Sequence, residues 1–402
     1  MKNIQILLGA LTITALILSS CKKDEVTPTQ APATYTVPTS YDFKNTNNIS
    51  TVDFSGQKVR LVMLDEISTL MGGITPVSEA TLIDMYNGTG FTDASLNTSG
   101  KKLSDKTAAS VDYFSGINAE QTSIRETFKA FFKDAELLTT GSTEASAGVA
   151  GYYMDGTKKR YFNANGLEPQ QLFVKGMMGA CLLDQVVNNY LSKTKLDDAS
   201  NLTNNTNKVV EAGKTYTTME HAWDEAYGYI YGLDNLSANP AVYKFWSSYI
   251  NQVNADPNFN TTKDAILKAF IQGRVAITKA DYTTRDAQVD IIKTELAKGP
   301  AVRAVFYLNE GKTKLGTANG KAAFHALSEA YGFIWCLRFT QNPTTKAPYF
   351  SKEEVDGMLA DLVKGTNGLY DVDYLNSALV TIAQKIATRF GFTVEQAIDA
   401  TK

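Results

Sequence analysis

The sequence predicts an all-α protein built as two pseudo-symmetric helical bundles, with long surface loops and at most a small β-hairpin. Three observations carry that reading. Apolar residues recur at helical spacing along nearly the whole chain, while strand-like alternation is scarce. A ten-residue phrase, His221-Ala-Trp-Asp-Glu-Ala-Tyr-Gly-Tyr-Ile230, returns as His325-Ala-Leu-Ser-Glu-Ala-Tyr-Gly-Phe-Ile334 with seven identical positions. Phe173-Val-Lys-Gly176, followed by Asp184, is echoed by Phe270-Ile-Gln-Gly273, followed by Asp281. The offsets, 325 − 221 = 104 and 270 − 173 = 97, both fit one repeat of about one hundred residues.

Taken in order, the helical pattern begins with Val59, Leu61, Val62, Leu64, Ile67 and Leu70. Further helices are predicted over 124–138, 170–191, 217–231, 240–253, 263–279, 288–296, 321–339, 351–363 and 374–390. Several ends carry their own chemistry. Thr217 with Glu220, Ser351 with Glu354 and Thr393 with Gln396 read as capping boxes, in which side chains satisfy the free N–H groups of a first turn. Gly391 stands where a left-handed C-terminal cap would. The stretches 87–105, 141–167 and 197–213 are rich in Gly, Ser, Thr or Asn and read as loops. Within the second, Asp155-Gly156 between two aromatic-rich pieces of 151–162 predicts a hairpin.

The N-terminus reads as a targeting segment. Lys2 supplies positive charge, residues 4–18 are almost wholly apolar but too few to span a bilayer, and Leu18-Ser-Ser-Cys21 has the form of a lipobox. Residues 1–20 are then a signal peptide, and Cys21 becomes the diacylated first residue, since more than one acyl chain is needed for stable anchoring. Lys22-Lys-Asp-Glu25 resembles the charged surface-export signal of Bacteroidetes lipoproteins. This places the body on the outer membrane, exposed at the cell surface or otherwise in the periplasm. Residues 21–51, rich in Thr, Pro and Ala in their central part, form a tether. The body divides into a first repeat unit with insertions, 52–236, and a second, 237–402, packed as one.

A net charge of −3 with acids and bases interspersed argues against a nucleic-acid groove. Cys181 and Cys336 sit in apolar helical stretches and read as buried free thiols, with a disulfide between them as the alternative. Phosphate loops, nucleophile elbows and His-Glu-x-x-His are absent from the sequence. Arg274, Arg285, Arg303 and Arg338 are expected to pair with Asp281, Asp286 or Glu329 and lock helices.

The two histidines of the chain both lie in the duplicated phrase, each four residues before a glutamate, which on a helix places both on one face about a turn apart. Further along that face stand Gly228 and Gly332; glycine costs a helix about 1 kcal/mol relative to alanine, so a close neighbour is implied there. Two readings stay open. His221, Glu225, His325 and Glu329, with Asp224 as auxiliary, form an N2O2 set suited to Fe, Mn or Zn if the helices face each other. Alternatively each pair satisfies a buried polar network and holds no metal.

The duplicated phrases, together with Tyr41-Asp-Phe ahead of Val59-Arg-Leu-Val-Met-Leu-Asp-Glu66, resemble the DUF4856 family of Bacteroidetes lipoproteins from about residue 38 onward. That family is similar to imelysin-like proteins, helical double-bundle lipoproteins of iron-uptake loci with a Gly-x-His-x-x-Glu motif. Here the third residue after each histidine is Asp224 or Ser328, and no glycine stands two before either. The resemblance implies a lipoprotein that binds a metal or metal complex and assists an outer-membrane transporter. The alternatives are an imelysin-like metallopeptidase and a glycan- or partner-binding scaffold with structural His–Glu pairs.

Replacing Cys21 by Ala is expected to move the protein from the membrane fraction to the soluble fraction. Retention in the membrane after signal cleavage would show that another feature anchors it.

Overall fold

The structure, a computed structural model, describes residues 35–399 except 115–117, 199, 316 and 318–320. The predicted signal segment and Cys21 lie outside the described residues. Fifteen α-helices occur among the described residues. They are α1 (Ser55–Met71), α2 (Glu79–Tyr86), α3 (Ala94–Asn97), α4 (Asn118–Thr140), α5 (Pro169–Met177), α6 (Lys193–Leu196), α7 (Asn201–Thr206) and α8 (Thr218–Tyr231). After them come α9 (Trp246–Ala255), α10 (Thr262–Thr278), α11 (Tyr282–Leu315), α12 (Ala322–Cys336), α13 (Lys352–Leu362), α14 (Val372–Phe390) and α15 (Val394–Ile398). The strands β1 (Gly151–Asp155) and β2 (Lys158–Phe162) pair antiparallel around Gly156, as the Asp-Gly signal predicts. No helix among the described residues is long and apolar enough to cross a membrane.

The capping boxes at Thr217, Ser351 and Thr393 all form, and Gly391 adopts φ +73° at the end of α14. Three predicted helices differ from those observed. The stretch 170–191 is α5 followed by two π-helical pieces, Met178–Leu183 and Val186–Tyr190. The wider register turns carbonyls away from the helix ladder, and other elements use them: the Trp246 indole donates to Met178 O at 2.8 Å and the Ala108 amide to Ala180 O at 2.6 Å. The stretch predicted over 240–253 is a helix only from Trp246, because Phe245 takes φ +49° just before it. The short segment 288–296 is the middle of the 34-residue α11, which runs through Pro300. Proline crowds the preceding turn and removes a donor, but packing overrides its local preference: the residue before it is Gly299, against which the Trp246 ring packs.

The described residues from Thr36 onward form one compact unit, and its helices do not pair copy by copy. The helix carrying Phe173 and Gly176, α5, packs on α12, and the helix carrying Phe270 and Gly273, α10, packs on α8. Both glycines are seats for an indole: a Cβ on Gly273 would stand 2.1 Å from Trp223 of α8, and one on Gly176 would stand 2.7 Å from Trp335 of α12. The Trp223 indole N–H also donates to Phe270 O at 2.9 Å. Each Phe-Gly helix therefore serves the His helix of the other copy, and the two repeats are interleaved.

Cys181 and Cys336 are buried free thiols. Burial pushes the Cys181 thiol up to about 12, and Cys336 Sγ donates to Lys175 O at 3.1 Å, so both behave as packing residues.

Gly273→Ala is expected to cost roughly 1–3 kcal/mol, because the Trp223 ring must move. Gly357→Ala, on the exposed face of α13 with open space around it, should instead stabilise by roughly 0.5–1 kcal/mol. Denaturant unfolding of the two variants checks both signs.

Candidate functional site: the duplicated His–Glu helices

The first copy lies on α8. Tyr190 and Gln57 both donate to Glu225 Oε1, from the hydroxyl at 3.2 Å and from Nε2 at 2.7 Å. His221 Nδ1 is 3.0 Å from the Asp53 carbonyl; a carbonyl only accepts, so Nδ1 carries the proton. The imidazole also stacks on Tyr216, with ring centres 4.6 Å apart. Gly228 explains how α1 comes so near: a Cβ there would stand 2.4 Å from Phe54 Cβ and 3.2 Å from Gln57 Cβ.

The second copy, on α12, repeats this arrangement against α5. Glu329 Oε1 receives Lys175 Nζ at 2.8 Å and the Tyr249 hydroxyl at 3.3 Å. His325 Nδ1 is 2.6 Å from Glu168 Oε2, at the start of α5, with Arg160 Nη1 also within 3.0 Å. A Cβ on Gly332 would stand 2.2 Å from Lys175 Cβ. In each copy, then, the histidine meets the beginning of a neighbouring helix. The glutamate takes one donor from that helix and one tyrosine hydroxyl, and the glycine lets the backbones close. The charges differ: Gln57 is neutral and Lys175 is cationic. Burial pushes the Glu329 carboxyl up, but the Lys175 ammonium and His325 outweigh it and hold it at about 2.

Asp224 and Glu220, the acids flanking His221, are committed elsewhere. Arg274, fully buried on α10, reaches Asp224 Oδ1 from Nε at 3.0 Å and Glu220 Oε1 from Nη1 at 2.7 Å. Asp224 also accepts from the Tyr41 hydroxyl at 2.6 Å and the Asp53 amide at 3.2 Å. Burial raises the Asp224 carboxyl, and Arg274 opposes it. Of the helix-locking arginines, Arg285 meets one of its expected acids, Asp286, while also reaching Asp197 at 2.7 Å. Arg338 pairs with Glu120 and lies 3.8 Å from Asp356, and Arg303 stacks over Phe306 and Tyr307.

The structure thus brings His325 and Glu329 together, with Nε2 and Oε2 3.9 Å apart, but among the described residues His221 and His325 share no partner. Among the described residues, no group of three or more His, Cys, Asp and Glu side chains could hold a metal ion. Sequence reasoning missed Gln57, Tyr190, Glu168, Lys175 and Tyr249. Only Lys175 lay in a marked motif, the Phe-Val-Lys-Gly echo, whose counterpart carries Gln272.

A family model for a domain of unknown function, DUF4856, matches residues 38–393. The chain belongs to this family. The matched span holds both copies of the His helix and every partner described for them. No curated protein and no solved structure matches the chain.

Lys175→Met is expected to cost roughly 3–5 kcal/mol by leaving a buried carboxylate unpaired, whereas Lys175→Met with Glu329→Gln should recover most of the loss. Because the folded carboxyl is held below its ordinary 4.5, the pair stabilises fully above that pH and its contribution disappears as pH falls from about 4.5 to about 2. Urea titrations through that window should show the wild type and the double variant converging.

Proposed function

We propose that this DUF4856 chain is a non-catalytic binding scaffold, tethered to the outer membrane through a lipidated Cys21. The two His–Glu pairs act as internal struts. The observation that supports this reading is the matched satisfaction of Glu225 and Glu329: each accepts one donor from a neighbouring helix and one tyrosine hydroxyl. A carboxylate held this way has its Oε1 occupied by its own protein, and retaining the pair twice follows from the same helix crossing occurring twice.

The metal-holding alternative is the one linked to imelysin-like lipoproteins, iron uptake and an outer-membrane transporter. It requires Glu225 and Glu329 to turn their Oε2 atoms, and both imidazoles to offer Nε2, to one ion. A metallopeptidase would further require an open metal position with a base beside it. In the scaffold reading none of this occurs, and the ligand site lies away from the duplicated helices.

Metal analysis of the purified protein, combined with thermal melts, decides between them. The scaffold reading predicts no stoichiometric Fe, Mn or Zn and a melting temperature unaffected by chelator. It also predicts a loss of about 1–3 kcal/mol for each of His221→Ala and His325→Ala, from the groups left unpaired. A co-purifying metal lost from both variants would overturn it.

A further inference from the structure

Lys293 and Asp112, which form no ion pair among the described residues, line a cleft that shares no residue with the His–Glu helices. This cleft, of about 470 Å³, runs along one face of α11, where Asp286, Val289, Asp290 and Lys293 follow one another at helical spacing. Its floor is formed by buried side chains: Lys293, only 5% exposed, with Leu191, Asn188 and Gln341. Its mouth carries the exposed Asp112, Lys193 and Lys346.

The mouth largely neutralises itself. Lys346 lies 3.6 Å from Asp290 and Lys193 3.9 Å from Asp286, which Arg285 also holds. Two charges of the lining are left over. Among the described residues neither Lys293 nor Asp112 forms an ion pair. Lys293 Nζ donates to Gln341 Oε1, whose amide in turn donates to Asn188 Oδ1 at 3.2 Å. An ammonium has three N–H donors, so this leaves most of its donor capacity unused, and no carboxylate among the described residues is in contact with it. Burial pushes Lys293 down to about 8, Lys346 adds to the depression, and Asp112, followed by Asp290 and Asp286, opposes it.

A floor cation without a contact ion pair and a solvent-exposed mouth anion suit a ligand with the reverse order of charge. A simple anion would leave Asp112 opposed to nothing, and a simple cation would meet Lys293 unfavourably. The walls between them are apolar, with Tyr113, Leu191, Val289 and Pro348, so the body of the ligand is apolar too. The volume falls within the range of small-molecule sites. The geometry points to a binding site for a zwitterionic short peptide or amino acid with an apolar side chain. Its carboxylate would meet Lys293 and its ammonium Asp112. This deepens the scaffold reading and rests on it only for the absence of chemistry. The His–Glu result and the peptide result can each fail without the other.

Calorimetric titration of the full-length protein at pH 7 with L-leucyl-L-leucine tests the inference. Saturable binding is expected in the micromolar to millimolar range. N-acetyl-leucyl-leucine, which lacks the ammonium, and leucyl-leucinamide, which lacks the carboxylate, should each bind roughly tenfold or more weakly. Asp112→Asn should remove the preference for the free amine, and Lys293→Met the preference for the free carboxylate. Asp112 is exposed, and the two capped peptides need no variant, so a poorly folding Lys293→Met protein does not shield the proposal. No saturable binding up to about 10 mM overturns it, as does equal binding of all three peptides.

Discussion

Everything around the duplicated phrase depends on a glycine that lets a neighbouring helix come within side-chain length of a glutamate. With any larger residue at Gly228 or Gly332, α1 would be held away from α8 and α5 from α12. Gln57 and Lys175 could then not place their donors on Glu225 and Glu329. The polar bond and the close backbone approach are one device. The glycine costs helix propensity, and the buried carboxylate would be strongly unfavourable alone. Together they fix where two helices cross, because the acid is satisfied only at one register.

The two copies show how such a device diverges without losing its geometry. The first uses a neutral amide, and the neighbouring acids Glu220 and Asp224 are held by Arg274 rather than by the histidine. The second uses an ammonium, making a full ion pair, and attaches Glu168 and Arg160 to its histidine. Interleaving extends the effect. Since α10 receives Trp223 of the first copy and α5 receives Trp335 of the second, each half of the chain completes the other's core. Removing one repeat would expose an indole seat as well as a helix face.

Much of this was legible in the sequence, for local reasons. Capping boxes at Thr217, Ser351 and Thr393, the left-handed Gly391 and the Asp-Gly hairpin depend on residues within a few positions of one another. Gly228 and Gly332 correctly announced a close neighbour, though not which one. The long α11 was hidden by Gly299-Pro300, a pair that stops a helix unless something packs on it, and here Trp246 does. The partners of the glutamates were illegible because Gln57, Tyr249 and the pair Lys175 and Tyr190 come from three separate segments with no shared pattern. The cleft at Lys293 was equally hidden: its helical face mixes acids with a lysine, as a solvated face would, and burial by the 341–348 loop is what changes its meaning.

The central claim is that the two His–Glu pairs are separate internal struts. With two histidines in the whole chain, long-range proton–nitrogen correlation spectra report each imidazole individually. The account predicts two distinct Nδ1-protonated rings whose signals do not move on addition of one equivalent of Zn²⁺. Simultaneous shifts of both Nε2 resonances, saturating at one equivalent, would contradict it and place the two rings on one ion.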